Sequence, residues 1–374
     1  MRRRFRQSLA NLVVIGGIAL CTTLSQRSYR CATLLSSDQA GESHMKSSEV
    51  GNAKVISRSS ATHRPSACEA FVGPSSDDSQ VVQARTLHTQ FAMHVYRKGK
   101  VKDIVSNTIE QAGAWETQDT EKLMDILGCG DSFKCSPETA KKGVLVDVGA
   151  NIGWFTLAAL HLGHTVVAFE PFERNAELMC ASVQAVQNYE TRFQLNRLGL
   201  DHKGRECELF QQKELNIGDT HSVCDDETRK VFVEKNYEPL GWMNTTTLDN
   251  AMRTGMFGTI DTIDVMKIDV EGFEPSVFLG GNEFFQSKLT PKFIFVELVS
   301  ERMGEVRGQH DRGKHRLRSV LLSLTNYGYE IDDYSKEGNS GLSLLTSSLE
   351  HLESSIDGRT VLFRRATPVS TSRV

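Results

Sequence analysis

A doubly wound α/β fold is the class this sequence predicts, and three observations carry the prediction. From residue 86 onward, short apolar runs alternate with segments of helical spacing. The run GVLVDVG passes straight into a glycine-containing turn and a helix, and the next run, TVVAFEP, ends in an acid. A third apolar run, DVMKIDV, is followed by another helix and another strand, so the alternation persists.

Taken in order, FAMHVYRK (91–98) alternates as a strand, and DIVSNTIEQAGAWE and TEKLMDILG read as two short helices. GVLVDVG is a buried strand, WFTLAALHLG a helix, TVVAFEP a strand and ERNAELMCASVQAVQ a helix. RFQLN and ECELF read as strands. DVMKIDV (264–270) is a strand, EPSVFLGGNEFF is helical, and KFIFVEL (292–298) is a strand. HRLRSVLLSLTNYG gives a helix, and YEIDDYS and TVLFRR close the series as strands. Repeated alternation calls for a mostly parallel sheet covered on both faces, with ligands held beyond the carboxyl ends of the strands.

The chain has 374 residues, 39% hydrophobic and 24% charged, and is long enough for one large domain. This composition excludes a collagen-like chain, a disulfide-dense miniprotein and a wholly disordered protein. The formal charge of −4 argues against a nucleic-acid partner held by bulk charge. That charge is uneven: residues 1–31 hold six arginines and no acid, leaving 37 basic against 47 acidic residues in the remainder.

The basic end, MRRRFR, precedes a 16-residue apolar run from Leu9 to Leu24. As a helix it would span roughly 24 Å against a hydrocarbon core of about 30 Å, nearer the thinner membranes of the early secretory pathway. Residues 1–31 are therefore expected to be an apolar-helix signal anchor, with a cleaved signal (Ala19-Leu20-Cys21) or an organellar transit peptide as alternatives. Residues 32–85, with twelve serines and no apolar period, read as a disordered stem. Residues 86–374 then form the folded domain of a single-pass type II membrane protein of the Golgi or ER, with a secreted or organellar protein as the alternative. Of eight cysteines, Cys129 and Cys135 are the expected disulfide, and Asn244-Thr245-Thr246 is a glycosylation sequon.

The turn after the first buried strand reads Asp147-Val148-Gly149-Ala150-Asn151-Ile152-Gly153. Its glycines let the backbone turn sharply and approach a ligand at a helix N-terminus. Glu170, at the tip of the next strand, can accept hydrogen bonds from both hydroxyls of a ribose. A dinucleotide site asks for G-x-G-x-x-G, whereas Asn151 stands in the middle here and Trp154 follows the last glycine. Asp147, two residues before the loop, suits a ligand with an amino group and positive charge, such as S-adenosylmethionine.

The segments VLVDVGANIGWFTL, VVAFEP and DVMKIDVEGFEPSVFLGG followed by FIFVEL resemble the FkbM-type methyltransferases, a branch of the class I S-adenosylmethionine-dependent enzymes with a Rossmann-like sheet. The resemblance runs from about Asp103 to about Leu298 and more weakly beyond. It implies a seven-stranded sheet whose last strand, TVLFRR, is antiparallel, and methyl transfer to a hydroxyl oxygen. It further implies that Asp147, Gly149, Asn151 and Gly153 contact the methionine part of S-adenosyl-L-methionine and Glu170 its ribose. Asn196, Leu198 and Gly199 correspond to the stretch lining the adenine. Asn216-x-Gly218 matches a further family motif.

A hydroxyl acceptor loses a proton on methylation, so a carboxylate within reach is useful. Asp269 and Glu271 share one face of an extended segment at a strand tip; Asp269 is expected to orient or deprotonate the acceptor, with Glu271 in support. Capping the following helix and pairing with Lys267 is their plainer role, and holding a divalent metal a third. Glu297, at the tip of FIFVEL, is a second catalytic candidate. His221 reads either as a base or as a solvated loop residue. Arg302, Arg307, Arg312, Lys314, Arg316 and Arg318 make a basic segment that could draw in an anionic acceptor. The expected partner is a hydroxyl-bearing acceptor (a glycan, a lipid or a small molecule). The rival functions are a nicotinamide oxidoreductase, a Golgi glycosyltransferase and a catalytically silent domain that binds cofactor or glycan.

Overall fold

The computed structural model describes residues 68, 74–75, 77–132, 139–212, 217, 220–305, 313–332 and 356–366. The expected anchor at 1–31, most of the stem, Cys135, Arg307, Arg312 and the Asn216-x-Gly218 motif lie outside these residues. Among the described residues, no helix is long and apolar enough to cross a membrane. The chain divides into units 1–61 and 62–374, and only the second holds described residues.

The second unit opens with an antiparallel hairpin, β1 (Ser79–Arg85) and β2 (Gln90–Tyr96). Helix α1 (Ile104–Ala112) starts where Asp103 accepts the backbone N–H of Ser106, and stops at Gly113 with φ +72°. Helix α2 (Thr117–Cys129) follows. The wound portion then runs β3 (Val144–Val148), α3 (Trp154–His161), β4 (Thr165–Phe169), α4 (Glu173–Val183) and β5 (Phe193–Asn196).

An insertion follows: β6 (Gly199–Leu200), β7 (Glu206–Gln212), β8 (Thr220–Val223), α5 (Asp226–Glu234), β9 (Tyr237–Thr246) and α6 (Leu248–Arg253). The chain closes with β10 (Val265–Ile268), α7 (Glu274–Leu279), β11 (Phe293–Leu298), α8 (Ser300–Glu305), α9 (Gly313–Asn326), β12 (Tyr329–Ile331) and β13 (Arg359–Arg365).

Seven strands form one mixed sheet in the order β12-β13-β11-β10-β3-β4-β5, with β13 antiparallel to both neighbours. The chain winds outward from β3 through β4 to β5, then returns to place β10 on the other side of β3. The switch point therefore lies between the carboxyl ends of β3 and β10, where a wound sheet opens a crevice. Apolar cores cover both faces, one including Leu145, Val265 and Phe295, the other Val146, Ile268 and Val296. The insertion makes a second sheet in the order β6-β9-β7-β8.

Three expectations change. The stem reading extends too far, because β1 begins at Ser79 and Cys68 is disulfide-bonded to Cys180 of α4. Alternate burial along β1 is masked in the sequence by Ser79, Gln80 and Gln83. Cys207 pairs with Cys224 across the small sheet, and Cys129 is also disulfide-bonded, its expected partner Cys135 lying outside the described residues. His221 is neither a solvated loop residue nor a base in the site: it sits on β8, 2% exposed, edge-on to Phe232 and Tyr237 at 5.4 Å.

Candidate functional site

The crevice at the switch point holds two cavities that share Gly149, Asn151, Asp269 and Glu271 in their walls. Gly149 makes their meeting possible. It has φ +79°, and a Cβ there would fall 1.8 Å from the Asp269 carbonyl oxygen, so only glycine lets the loop pass β10's end. The N–H groups of Gly149 and Ala150 both donate to the Phe169 carbonyl, which ties the loop to the tip of β4.

The narrower cavity lies against Glu170. This carboxylate is buried and accepts the backbone N–H of Asn151 at 2.7 Å on one oxygen and that of Phe172 at 2.8 Å on the other. The Asn175 side chain supplies a third hydrogen bond to this carboxylate, and the acceptor capacity left over faces the cavity, where a ribose hydroxyl can dock. Burial pushes its pKa up to about 7, opposed by the two N–H donors. Asn151 reaches this position by adopting φ +53°, a conformation open to asparagine at small cost. The far wall comes from the small sheet, through Leu209, Thr220, Ser222 and Met243. Of these, only Leu209 lies in a stretch read as a strand from the sequence, ECELF, and nothing there signalled a place in a cavity wall.

Other expected ligand contacts stand behind this wall. Asp147 has no exposed surface; it accepts the Thr156 hydroxyl at 2.7 Å, its other oxygen has no hydrogen-bond partner, and it lines neither cavity. It sits one layer under the loop, because the strand's pleat turns it onto the face covered by α3. Gly153 caps α3 with φ +89°, and a Cβ there would press on Met179 of α4. Asn196 donates its amide to the Met256 carbonyl at 3.0 Å. Asn196, Leu198 and Gly199 line neither cavity, and Leu200 forms the wall beside them.

The larger cavity, of about 430 Å³, lies on the side of α1, α2 and β11. Parallel register sets Lys267 between Asp147 and Phe295, and the two-residue period carries the same face on to Asp269 and Glu297. Lys267 is buried, bonds Asp269 at 3.1 Å and lies 4.9 Å over the Phe155 ring. Burial alone would lower the pKa of Lys267, but Asp269, Asp147 and Glu116 outweigh it and hold the ammonium charged. For Asp269 burial pushes upward, and Lys267 then pulls the net pKa below the ordinary value. Glu297 moves the opposite way: burial and the Asp269 charge push it up to about 7.

Arg302 on α8 bridges Glu271 at 2.7 Å and Glu297 at 2.8 Å. This one guanidinium of the basic segment thus faces carboxylates. Glu274, in the first turn of α7, accepts the N–H groups of Val270 and Gly272, so Asp269 and Glu271 are not spent on that cap. Lys267 and Arg302 face the Asp-x-Glu pair, together with the Glu297 carboxylate. Among the described residues, the one group of three metal-capable side chains is Asp201, Cys207 and Cys224; its cysteines form a disulfide and its acid pairs with Arg205. Backbone strain also gathers here: of five non-glycine residues with positive φ among those described, Glu116, Asn151 and Glu271 line this cavity.

Residues 147–331 match the methyltransferase FkbM domain model. No curated protein matches the sequence. Among solved structures, an FkbM methyltransferase from Methylobacillus flagellatus KT is similar with TM-score 0.33 and 16% identity over 64% of this chain and 47% of that one, just under half its length. An O-methyltransferase from Bacillus cereus in complex with SAH gives TM-score 0.33 and 13% identity, over 61% of this chain and 79% of that one. A putative SAM-dependent methyltransferase from Streptococcus mutans gives TM-score 0.35 and 12% identity, over 79% of this chain and 57% of that one.

Proposed function

We propose that this chain, which carries a methyltransferase FkbM domain over residues 147–331, moves a methyl group from S-adenosylmethionine to a hydroxyl oxygen of a glycan, lipid or small metabolite. One observation carries the reading. A buried carboxylate that lines the narrower cavity, Glu170, stands one loop away from an acid-lined cavity, and the two cavities share Asp269 and Glu271 in their common wall.

The cofactor supplies a carbon already activated by a sulfonium, so the protein has chiefly to align the acceptor with it, which is worth several kcal/mol of barrier. Glu170 takes the ribose hydroxyls, and Gly149 and Asn151 border the path from ribose to acceptor. Lys267 holds Asp269 ionised, which makes that carboxylate a fixed hydrogen-bond acceptor that orients the incoming hydroxyl. Glu297 is the better base. Its pKa near 7 leaves it half-ionised at neutral pH and able to hold the proton once transfer is complete. Glu271 keeps Arg302 in place against Glu297. Asp147 and Gly153 support the loop from beneath.

Calorimetry with S-adenosylmethionine tests the binding half, and incubation of a cell extract with methyl-labelled cofactor tests the transfer half. Binding without any labelled product would favour a silent binding domain instead. The bonded cysteines Cys68, Cys129, Cys180, Cys207 and Cys224 support an oxidising compartment, in keeping with a membrane-anchored protein of the Golgi or ER lumen. Digestion of residues 86–374 in sealed microsomes without detergent would refute that placement.

A further inference from the structure

The composition of the larger cavity selects among these acceptors. We infer that it takes a neutral polyhydroxylated ring, a sugar unit, as the methyl acceptor; this rests on the methyl-transfer reading of the same site.

The first argument is apolar. Two of the chain's three tryptophans, Trp115 and Trp154, line this cavity together with Phe155. Trp154 is immobilised, its Nε1–H donating to the Thr120 hydroxyl at 2.8 Å. Trp154 and Phe155 are buried and present little surface, so the half-buried Trp115 is the indole that can offer an apolar face to the C–H face of a pyranose. At about 430 Å³ the cavity falls within the ~300–1,000 Å³ range of small-molecule sites.

The second argument is polar and decides the charge of the guest. Four carboxylates, those of Glu116, Asp269, Glu271 and Glu297, line the same cavity, and each can accept hydrogen bonds from hydroxyls. Its two cations are both engaged, Lys267 with Asp269 and Arg302 with Glu271 and Glu297. A phosphate or carboxylate on the guest would have to displace one of these partners and would then face the surplus acids. A lipid chain would fill the space but leave the carboxylates desolvated and unanswered. An ammonium guest would bring one charge and few hydroxyls to four carboxylates spread around the cavity, two of them already paired to Arg302 and one to Lys267. Titration with an alkylamine tests that exclusion directly. Hydroxyls, which both donate and accept, satisfy either protonation state.

A third, independent sign is the strained backbone at Glu116, with φ +39°. The turn that presents Trp115 and Glu116 is held in an unfavourable conformation, which is where ligand clamps are found.

The test is calorimetric titration of the full chain with methyl glycosides, the matching uronates and sugar phosphates, and a short alkylamine, with and without S-adenosylmethionine. Neutral glycosides should bind at least roughly tenfold tighter than any charged relative. Trp115→Ala should weaken glycoside binding about tenfold or more, with Trp115→Phe retaining most of it, and neither should move cofactor affinity. Charged or amine ligands binding as well as the neutral ones would overturn the inference. So would Trp115→Ala leaving glycoside affinity unchanged, or no glycoside binding at roughly 10 mM. Glycoside binding without any cofactor binding would instead sink the methyl-transfer reading and leave the sugar site standing.

Discussion

The two halves of the crevice differ in how they are built. The cofactor half rests on one short loop and one strand tip: Gly149, Asn151 and Glu170 are joined by backbone hydrogen bonds and lie within 22 residues of chain. The acceptor half gathers Trp115 and Glu116 before α2, Lys267 from β10 and Asp269 just past its end, and Glu297 and Arg302 from β11 and α8. Backbone geometry defines the first and side-chain charge the second. The first should therefore fail at single residues, and the second should fail by redistribution of charge.

Removing the buried cation is the sharpest way to break that contrast. Lys267→Met strands Asp147 and Asp269 without their counter-charge, and losing one partner of a buried pair costs about 3–5 kcal/mol. Urea unfolding should show this fall in stability, and a change below about 1 kcal/mol would mean that the acids simply protonate.

On the cofactor side, Glu170→Ala removes two charge-assisted hydrogen bonds at once. Cofactor affinity should drop by roughly 100-fold or more, measured by calorimetry, with acceptor binding retained. Undiminished binding would refute the ribose assignment.

Glu297→Gln should leave cofactor affinity in place and lower turnover by about 100-fold. The pH profile carries the sign. A base works when ionised, and burial with the Asp269 charge has raised this one to about 7, so the wild-type kcat should climb as pH rises through 7. The limb should vanish in the variant. Because Glu170 is also pushed up to about 7, the KM for cofactor should fall over the same window, and the split between kcat and KM separates the two carboxylates.

The same contrast explains what the sequence made legible. VDVGANIG and VVAFEP each carry a strand, its terminator and the functional group in one contiguous stretch, so local rules reached Gly149 and Glu170 directly, and the family resemblance added Asn151. KIDVEGFE likewise exposed Asp269, because alternation alone puts it beside Lys267. Trp115, Glu116 and Arg302 have no such signal, for their roles exist only once distant elements meet. The segment around Arg302 reads as basic and anion-seeking, yet its guanidinium ends up neutralising Glu271 and Glu297. Of the small sheet only β7 was legible, as ECELF; β6 and β8 are too short, at two and four residues, for a period to stand out. His221 looked solvated because its aromatic neighbours, Phe232 and Tyr237, lie more than ten residues downstream.

Asp147 gives the smallest effect and the finest distinction. As a direct ligand contact, its loss would match that of Glu170. Buried with no exposed surface and bonded to Thr156, it acts instead as a prop beneath the loop. Burial raises its pKa, opposed by Lys267 and by the Thr156 hydroxyl. Asp147→Asn keeps the shape and one oxygen for Thr156. It should cost less than tenfold in cofactor affinity, under about 1.4 kcal/mol, while Asp147→Ala should cost more by opening a void against α3. If the asparagine variant lost binding as completely as Glu170→Ala, the carboxylate would have to reach the ligand, and the division between a backbone-built half and a charge-built half would fail at its first residue.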